Sequence, residues 1–287
     1  MLLELKNIKK YFPLKKGIGH KTAYVKAVDD VNLKIIPGEN LSLVGESGSG
    51  KTTVARLALK LLHLDEGSIF WQGEDITGLG ERGFRPYRRN IQMVFQDPYS
   101  SLDPRFTIRA IMKEAMTLDQ SRYNSSQKIE QRSRELLEAV NLNCSILGRY
   151  PHEFSGGERQ RIAIARALVL NPKLLILDEA VSSLDVIIQE QLMTLLLDLQ
   201  KKFDMTYFFI SHNLKIVKKI SHTIAVMYHG KIVEYGPAEA VFANPSHPYT
   251  QQLLSAAFEY KVGQEKEIEL PANGSLVDEG GGHWVLK

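Results

Sequence analysis

Gly45-Glu46-Ser47-Gly48-Ser49-Gly50-Lys51-Thr52 follows the spacing G-x-x-x-x-G-K-[ST] in full. Glycines at those steps let the chain curl until successive N–H groups converge on one point, the geometry that holds a phosphate chain. In such a loop Lys51 reaches the β- and γ-phosphates of a nucleotide and the Thr52 hydroxyl ligates Mg²⁺, with Thr53 beside it as a further contact. The run Leu41 to Val44 before it reads as a buried strand, and Thr52 to Leu62 after it has helical spacing. Strand, glycine turn and helix are the context the pattern requires.

A second apolar run, Leu174 to Leu177, ends in Asp178-Glu179. Two carboxylates then stand at the C-terminal end of a predicted strand, where open α/β sheets bind ligands. Asp178 is suited to hold Mg²⁺ and Glu179 to polarise an attacking water. Alone, the pair reads more simply as negative charge at a helix start, and the phosphate-loop pattern reverses that preference. Ser155-Gly156-Gly157-Glu158 precedes the apolar-periodic run Ile162, Ala163, Ala165, Leu168, so Ser155 can cap a helix whose first turn is two glycines. That is either an anion site or a plain helix start. Gln96, after the strand predicted at Ile91 to Phe95, and His212, after the apolar run Tyr207 to Ile210, mean little as lone residues.

These residues need a frame. Leu3, Leu5, Val31, Leu33 and Ile35 alternate with polar neighbours and predict a β-rich N-terminal layer, with an exposed loop at Lys15 to Lys21. Ile108 to Met116 and Ser126 to Val140 predict a helical insert, and Val186 to Phe203 an amphipathic helix between two buried strands. Strands alternating with helices imply an α/β fold with a parallel sheet. After Gly236-Pro237 one or two short helices are expected, and from about Val262 a Glu- and Gly-rich peripheral tail. No internal repeat is seen, so one nucleotide-binding unit is expected.

Composition narrows the partners. Lys and Arg number 36 against 33 Asp and Glu, a net charge of +3, and no strong field argues for nucleic acid. One cysteine among 287 residues excludes an internal disulfide framework and a thiolate-built zinc or iron-sulfur site. The N-terminus does not read as a signal peptide, and no apolar run approaches membrane-spanning length. If the protein works at a membrane, other chains supply the spanning helices.

In their order, these motifs resemble the ATPase subunits of the ABC transporter family over about residues 1 to 260. The resemblance implies a RecA-like P-loop NTPase core with an antiparallel β layer and a helical subdomain at about 97–167. It implies that Ser155, Gly156 and Gly157 bind, in trans, the γ-phosphate held by an opposite subunit. Gln96 looks like the Q-loop glutamine that contacts Mg²⁺ and the attacking water, and His212 like the switch histidine. Ser183-Leu184-Asp185 resembles the D-loop, with Asp185 contacting the dimer partner. Tyr11-Phe12 sits where the family places an adenine-stacking aromatic, and spacing from Asn7 favours Phe12. Glu158 replaces a common glutamine and Asn213 a common aspartate, substitutions expected to leave the phosphate-facing trio and the histidine untouched.

The run Asn244-Pro245-Ser246-His247-Pro248-Tyr249-Thr250-Gln251-Gln252-Leu253-Leu254 and Ala180 after the Asp178-Glu179 pair resemble the oligopeptide and dipeptide importers, particularly their F-type subunit. That resemblance implies a cassette at 1–235, an extension with a flexible tail at 236–287, ATP hydrolysis with Mg²⁺, and a peripheral place at the cytoplasmic face of a membrane. Its partners would be a second, D-type ATPase as heterodimer, two permeases and, indirectly, an extracytoplasmic solute-binding protein. Relatives carry a cysteine-rich C-terminal iron-sulfur site, but no cysteine follows Leu270 here. His247 is assigned no chemistry. The alternatives are the same role in a nickel or metallophore importer, or a soluble ABC ATPase outside transport, disfavoured because heptad arms and a tandem cassette are missing.

Overall fold

The computed structural model describes residues 1–14, 23–97, 101–182, 184–258, 268–271 and 274–287. The loop expected at Lys15 to Lys21 and Ser183 of the D-loop lie outside the described residues. The chain divides into two compact units, one of Met1–Leu79 with Phe208–Lys287 and one of Gly80–Tyr207.

In the first unit β1 (Leu3–Leu14) and β2 (Ala23–Ile35) pair antiparallel with Leu3 opposite Ile35. With β4 (Glu66–Trp71) and β5 (Glu74–Asp75) they form a sheet of order β2-β1-β4-β5. Leu3, Leu5, Val31, Leu33 and Ile35 are all buried, as a half-buried strand with period two requires. The register shifts between Leu5 and Ile8, where Asn7 takes a positive φ and its side-chain Nδ2 donates to Asp30 Oδ1 at 2.9 Å.

The same unit holds β3 (Asn40–Val44), buried along its whole length and parallel to β9 (Thr223–Tyr228). A tight hairpin leads from β9 into antiparallel β10 (Lys231–Pro237). The far edge of β10 is covered by β12 (Trp284–Leu286), itself paired with β11 (Leu276–Asp278). The end of the chain, expected as a flexible tail, therefore contains two strands that cover a sheet edge otherwise open to pairing. Among the described residues this unit also holds helices α1 (Lys51–Ala58), α7 (Leu214–Ile220), α8 (Ala238–Ala243) and α9 (Pro248–Phe258). Helix α1 stops short of the predicted Leu62 because Lys60 turns left-handed, and its ammonium is held by the carbonyls of Ile76, Thr77 and Leu79 at 2.6–2.7 Å.

In the second unit β6 (Ile91–Val94) runs parallel to β7 (Leu174–Asp178). Helix α2 (Glu81–Arg88) precedes them, and α3 (Ile108–Met116), α4 (Ser126–Ala139) and α5 (Gly156–Ala167) occupy the helical insert. Thr107 and Ser125 cap α3 and α4 by accepting from the amides of Ala110 and Lys128. The Tyr123 hydroxyl and the Arg132 guanidinium tie the insert to the end of α5 by donating to the carbonyls of Val169 and Leu168. Helix α6 (Val186–Phe203) leads into β8 (Thr206–Ile210), which crosses the division between the units. Among the described residues no helix is long and apolar enough to cross a membrane.

Candidate active site

The phosphate loop joins β3 to α1. At Gly45 a Cβ would lie 2.1 Å from the Met227 carbonyl oxygen, and at Gly50, with φ of 112°, 2.0 Å from that of Ala27. Both positions exclude any side chain, so the glycines let β9 and β2 press against the loop. The Gly230 amide donates to the Ser49 carbonyl at 3.0 Å, a third strut from the β9–β10 hairpin. Lys51 is only 4% exposed, and its ammonium donates to the carbonyls of Gly45 and Glu46 at 2.9 and 2.7 Å and to Ser49 Oγ at 3.4 Å. The positive charge is thus aimed back over the curl of the loop. Glu46, Ser47 and Gly48 form the exposed crest, and Thr52 and Thr53 sit half-buried in the first turn of α1.

Sequence reasoning missed a fourth strut. The Tyr249 hydroxyl, on α9, accepts a hydrogen bond from the Glu46 amide at 3.0 Å. The only available signal was a tyrosine at the start of a helix, which says nothing about a loop some 200 residues earlier.

In the second unit β7 delivers Asp178, 3% exposed, at its last position. Glu179 follows in a left-handed conformation with φ of 48°. Such a conformation in a non-glycine residue costs about 1–3 kcal/mol and clusters at functional sites. Here Ser182 over-determines it, donating from its amide and hydroxyl to the Glu179 carbonyl at 3.1 and 2.9 Å. Gln96, two residues beyond β6, donates from Nε2 to Glu179 Oε2 at 2.9 Å, so the two predicted catalytic residues meet. Within this unit Asp178 and Gln96 offer carboxylate and amide oxygens, hard donors that suit Mg²⁺ and no soft metal.

Ser155 caps α5 through a reciprocal capping box. Its Oγ accepts from the Glu158 amide at 3.3 Å, while the Glu158 carboxylate accepts from the Ser155 amide at 2.9 Å and from the Ser155 hydroxyl at 2.8 Å. The hydrogen bond from the Ser155 amide, and then that from its hydroxyl, hold the Glu158 carboxyl below its usual pKa. The expectation that Glu158 leaves the trio untouched is therefore corrected: a short acidic side chain one turn along a helix reaches back to its own cap. Ser155, Gly156, Gly157 and Glu158 share an open groove of about 970 Å³ with Leu184 and Asp185. Asp185 also caps α6, accepting from the Ile188 amide at 3.0 Å.

His212 is exposed, back in the first unit, just after β8. Asn213 behind it caps α7, its Oδ1 accepting from the amides of Lys215 and Ile216 at 3.1 and 3.4 Å, which an aspartate would do equally well. On β1 the Tyr11 hydroxyl is committed to the Asp29 carboxylate, and burial, with that carboxylate, raises its pKa. Phe12 is exposed, with the Lys10 ammonium 5.7 Å from its ring centroid. Among the described residues no group of three or more His, Cys, Asp or Glu could hold a metal ion.

Comparison with known proteins identifies the family and the fold. Residues 28–182 match the family described as ABC transporter, and residues 233–281 match the C-terminal region of oligopeptide/dipeptide transporters. The chain is 48% identical over 278 residues to the oligopeptide transport ATP-binding protein AppF of Bacillus subtilis strain 168, covering 96% of this chain and 84% of that protein. It is 50% identical over 256 residues to the glutathione import ATP-binding protein GsiA of Escherichia coli K12, where it spans 41% of the relative's length. Among solved structures, the ATP-binding cassette MJ0796, a dimer in a post-hydrolysis state with ADP and phosphate, superposes with a TM-score of 0.72 at 27% identity, over 83% of this chain and 99% of that one. The cbiO1 protein of Clostridium perfringens, part of an ABC transporter complex, gives 0.71 at 26%, over 85% and 91%.

Proposed function

The chain belongs to the ABC transporter family, and on that premise we propose that it is the ATP-hydrolysing subunit that powers import of oligopeptides or dipeptides. The observation that carries this reading is the Glu179 carboxylate, set in a strained turn after β7 and hydrogen-bonded to Gln96 at 2.9 Å. A carboxylate so placed can take the proton of an attacking water, while the Gln96 amide orients both.

In this reading the amides from Gly48 to Thr52 cradle the triphosphate, Lys51 turns from its carbonyl partners to the β- and γ-phosphates, and Phe12 stacks on the adenine. Thr52, Asp178 and Gln96 would hold Mg²⁺, which when bound offsets the negative charge of the phosphates. His212 contacts the γ-phosphate after β8. Ser155, Gly156 and Gly157 act on the nucleotide of a second ATPase subunit, a D-type paralogue, with Asp185 at the contact between them. Hydrolysis of ATP with water to ADP and phosphate then drives two permeases, and this chain sits peripherally at the cytoplasmic face of the membrane. The C-terminal match to oligopeptide/dipeptide transporters supports a peptide as cargo, received from an extracytoplasmic solute-binding protein.

Glu179→Gln tests the assignment. The variant should bind ATP and lose hydrolysis by at least about 100-fold, the usual range for removing a general base. Turnover at the wild-type rate would contradict the role given to Glu179.

A further inference from the structure

The C-terminal run His247-Pro248-Tyr249 ends against the phosphate loop. Tyr249 is 2% exposed and its hydroxyl accepts from the Glu46 amide at 3.0 Å. Glu46 is the first residue after Gly45, where the loop leaves β3. The Tyr249 ring lies 4.1 Å from the ring of Tyr228, the residue after Met227, whose carbonyl packs against Gly45. The tyrosine therefore touches the root of the loop directly and also packs on β9, the strand that presses against Gly45.

Its own position is fixed in turn. The Tyr249 amide donates to His247 Nδ1 at 3.1 Å, and Pro248 opens α9 with no amide hydrogen to satisfy. The amides of Ser246 and His247 donate to the two carboxylate oxygens of Glu234 at 2.9 and 3.0 Å. Glu234, on β10, is 0% exposed, and its Oε1 also meets Nε2 of His283 at 2.7 Å. One buried carboxylate thus ties the start of α9 and the last hairpin of the chain to the core, and the chain of hydrogen bonds ends on the phosphate loop.

We infer that Tyr249 is a positioning residue of the nucleotide site: its hydroxyl fixes the first bend of the phosphate loop, so that the amides beyond it are ordered before ATP arrives. The C-terminal extension thereby sets nucleotide affinity and is more than an appendage. This rests on the phosphate-binding role proposed for Gly45 to Thr52. A loop ordered in advance loses less conformational freedom on binding, and the gain appears in the Kd.

The test is calorimetric titration of the full chain with a non-hydrolysable ATP analogue and Mg²⁺. Tyr249→Phe removes only the hydroxyl and should raise the Kd about fivefold, the worth of one hydrogen bond. Tyr207→Phe is the control for stability alone: it removes a buried hydroxyl that donates to the Leu196 carbonyl at 2.6 Å and should lower Tm with the Kd unchanged. A wild-type Kd for Tyr249→Phe, or an equal rise in the Tyr207→Phe Kd, overturns the inference. Lys51→Ala should abolish binding; wild-type affinity there would sink the phosphate-loop reading itself, and the coupling with it. If Tyr249→Phe does not fold, hydrogen exchange of the wild-type chain decides. A protected Glu46 amide supports the strut, and exchange at the rate of an open loop refutes it.

Discussion

At the scale of single residues the acidic side chain at Glu158 changes what Ser155 can offer. The hydroxyl proposed to meet a γ-phosphate already donates to a carboxylate, and that carboxylate carries a negative charge toward the same groove. A glutamine would keep the capping box and remove the charge. Glu158→Gln should therefore lower the KM for ATP of the assembled transporter by about two- to threefold, the range of a partly exposed charge contact, and the difference should shrink with added salt. An unchanged or higher KM in steady-state ATPase assays would show that the charge does not reach the nucleotide. Gly50 is a different kind of constraint. Its φ of 112° and the Ala27 carbonyl 2.0 Å from any Cβ leave no room to relax. Gly50→Ala should lower stability by about 1–3 kcal/mol and lose nucleotide binding together, measured by thermal melting with and without ATP.

At the scale of elements, the C-terminal anchor has a pH dependence that can be assigned. His247 is buried and its Nδ1 accepts a hydrogen bond, so burial holds its pKa below the ordinary 6.5 despite the opposing pull of Glu234. The unfolded chain then takes up the proton more readily than the folded one, and the contribution of His247 to stability is full above pH 6.5 and is lost as pH falls below it. Protease cleavage near α9 should accelerate between pH 7.5 and pH values below about 6. A His247→Asn variant, which can still accept from the Tyr249 amide, should flatten that dependence, and a cleavage rate independent of pH in the wild type would contradict the assignment. This anchor also marks where the sequence stopped being legible. Strand β7 and helix α6 were readable because an apolar run of strand length and an Asp185 cap ahead of an amphipathic repeat are local signals. The meeting of Gln96 with Glu179 was readable only through the order of motifs. Glu234 breaks the apolar pattern of β10 and reads as solvent-facing, because its partner His283 lies 49 residues further on. Strands β11 and β12 were obscured by the Glu- and Gly-rich composition around them, and the Tyr249 strut by a separation of 203 residues.

At the scale of the whole molecule, the groove at Ser155 and the exposed start of α6 are the surface on which the proposed second subunit would sit. Val186 and Ile187 are 72% and 70% exposed beside Asp185, apolar surface of the kind that an interface removes from water. Ser155→Arg should leave nucleotide binding by the isolated chain intact and abolish ATP-driven closure with its partner, seen as failure to form a dimer in light scattering; normal dimer formation would count against action in trans. In the proposed function, hydrolysis at Glu179 powers peptide entry. The most direct measurement is uptake of a labelled peptide by the complete transporter in proteoliposomes, assayed together with phosphate release, for wild type and Glu179→Gln. Peptide uptake coupled to phosphate release in the wild type, with both reduced at least about 100-fold by Glu179→Gln while ATP is still bound, is the predicted result. Uptake that persists undiminished in the variant would contradict it.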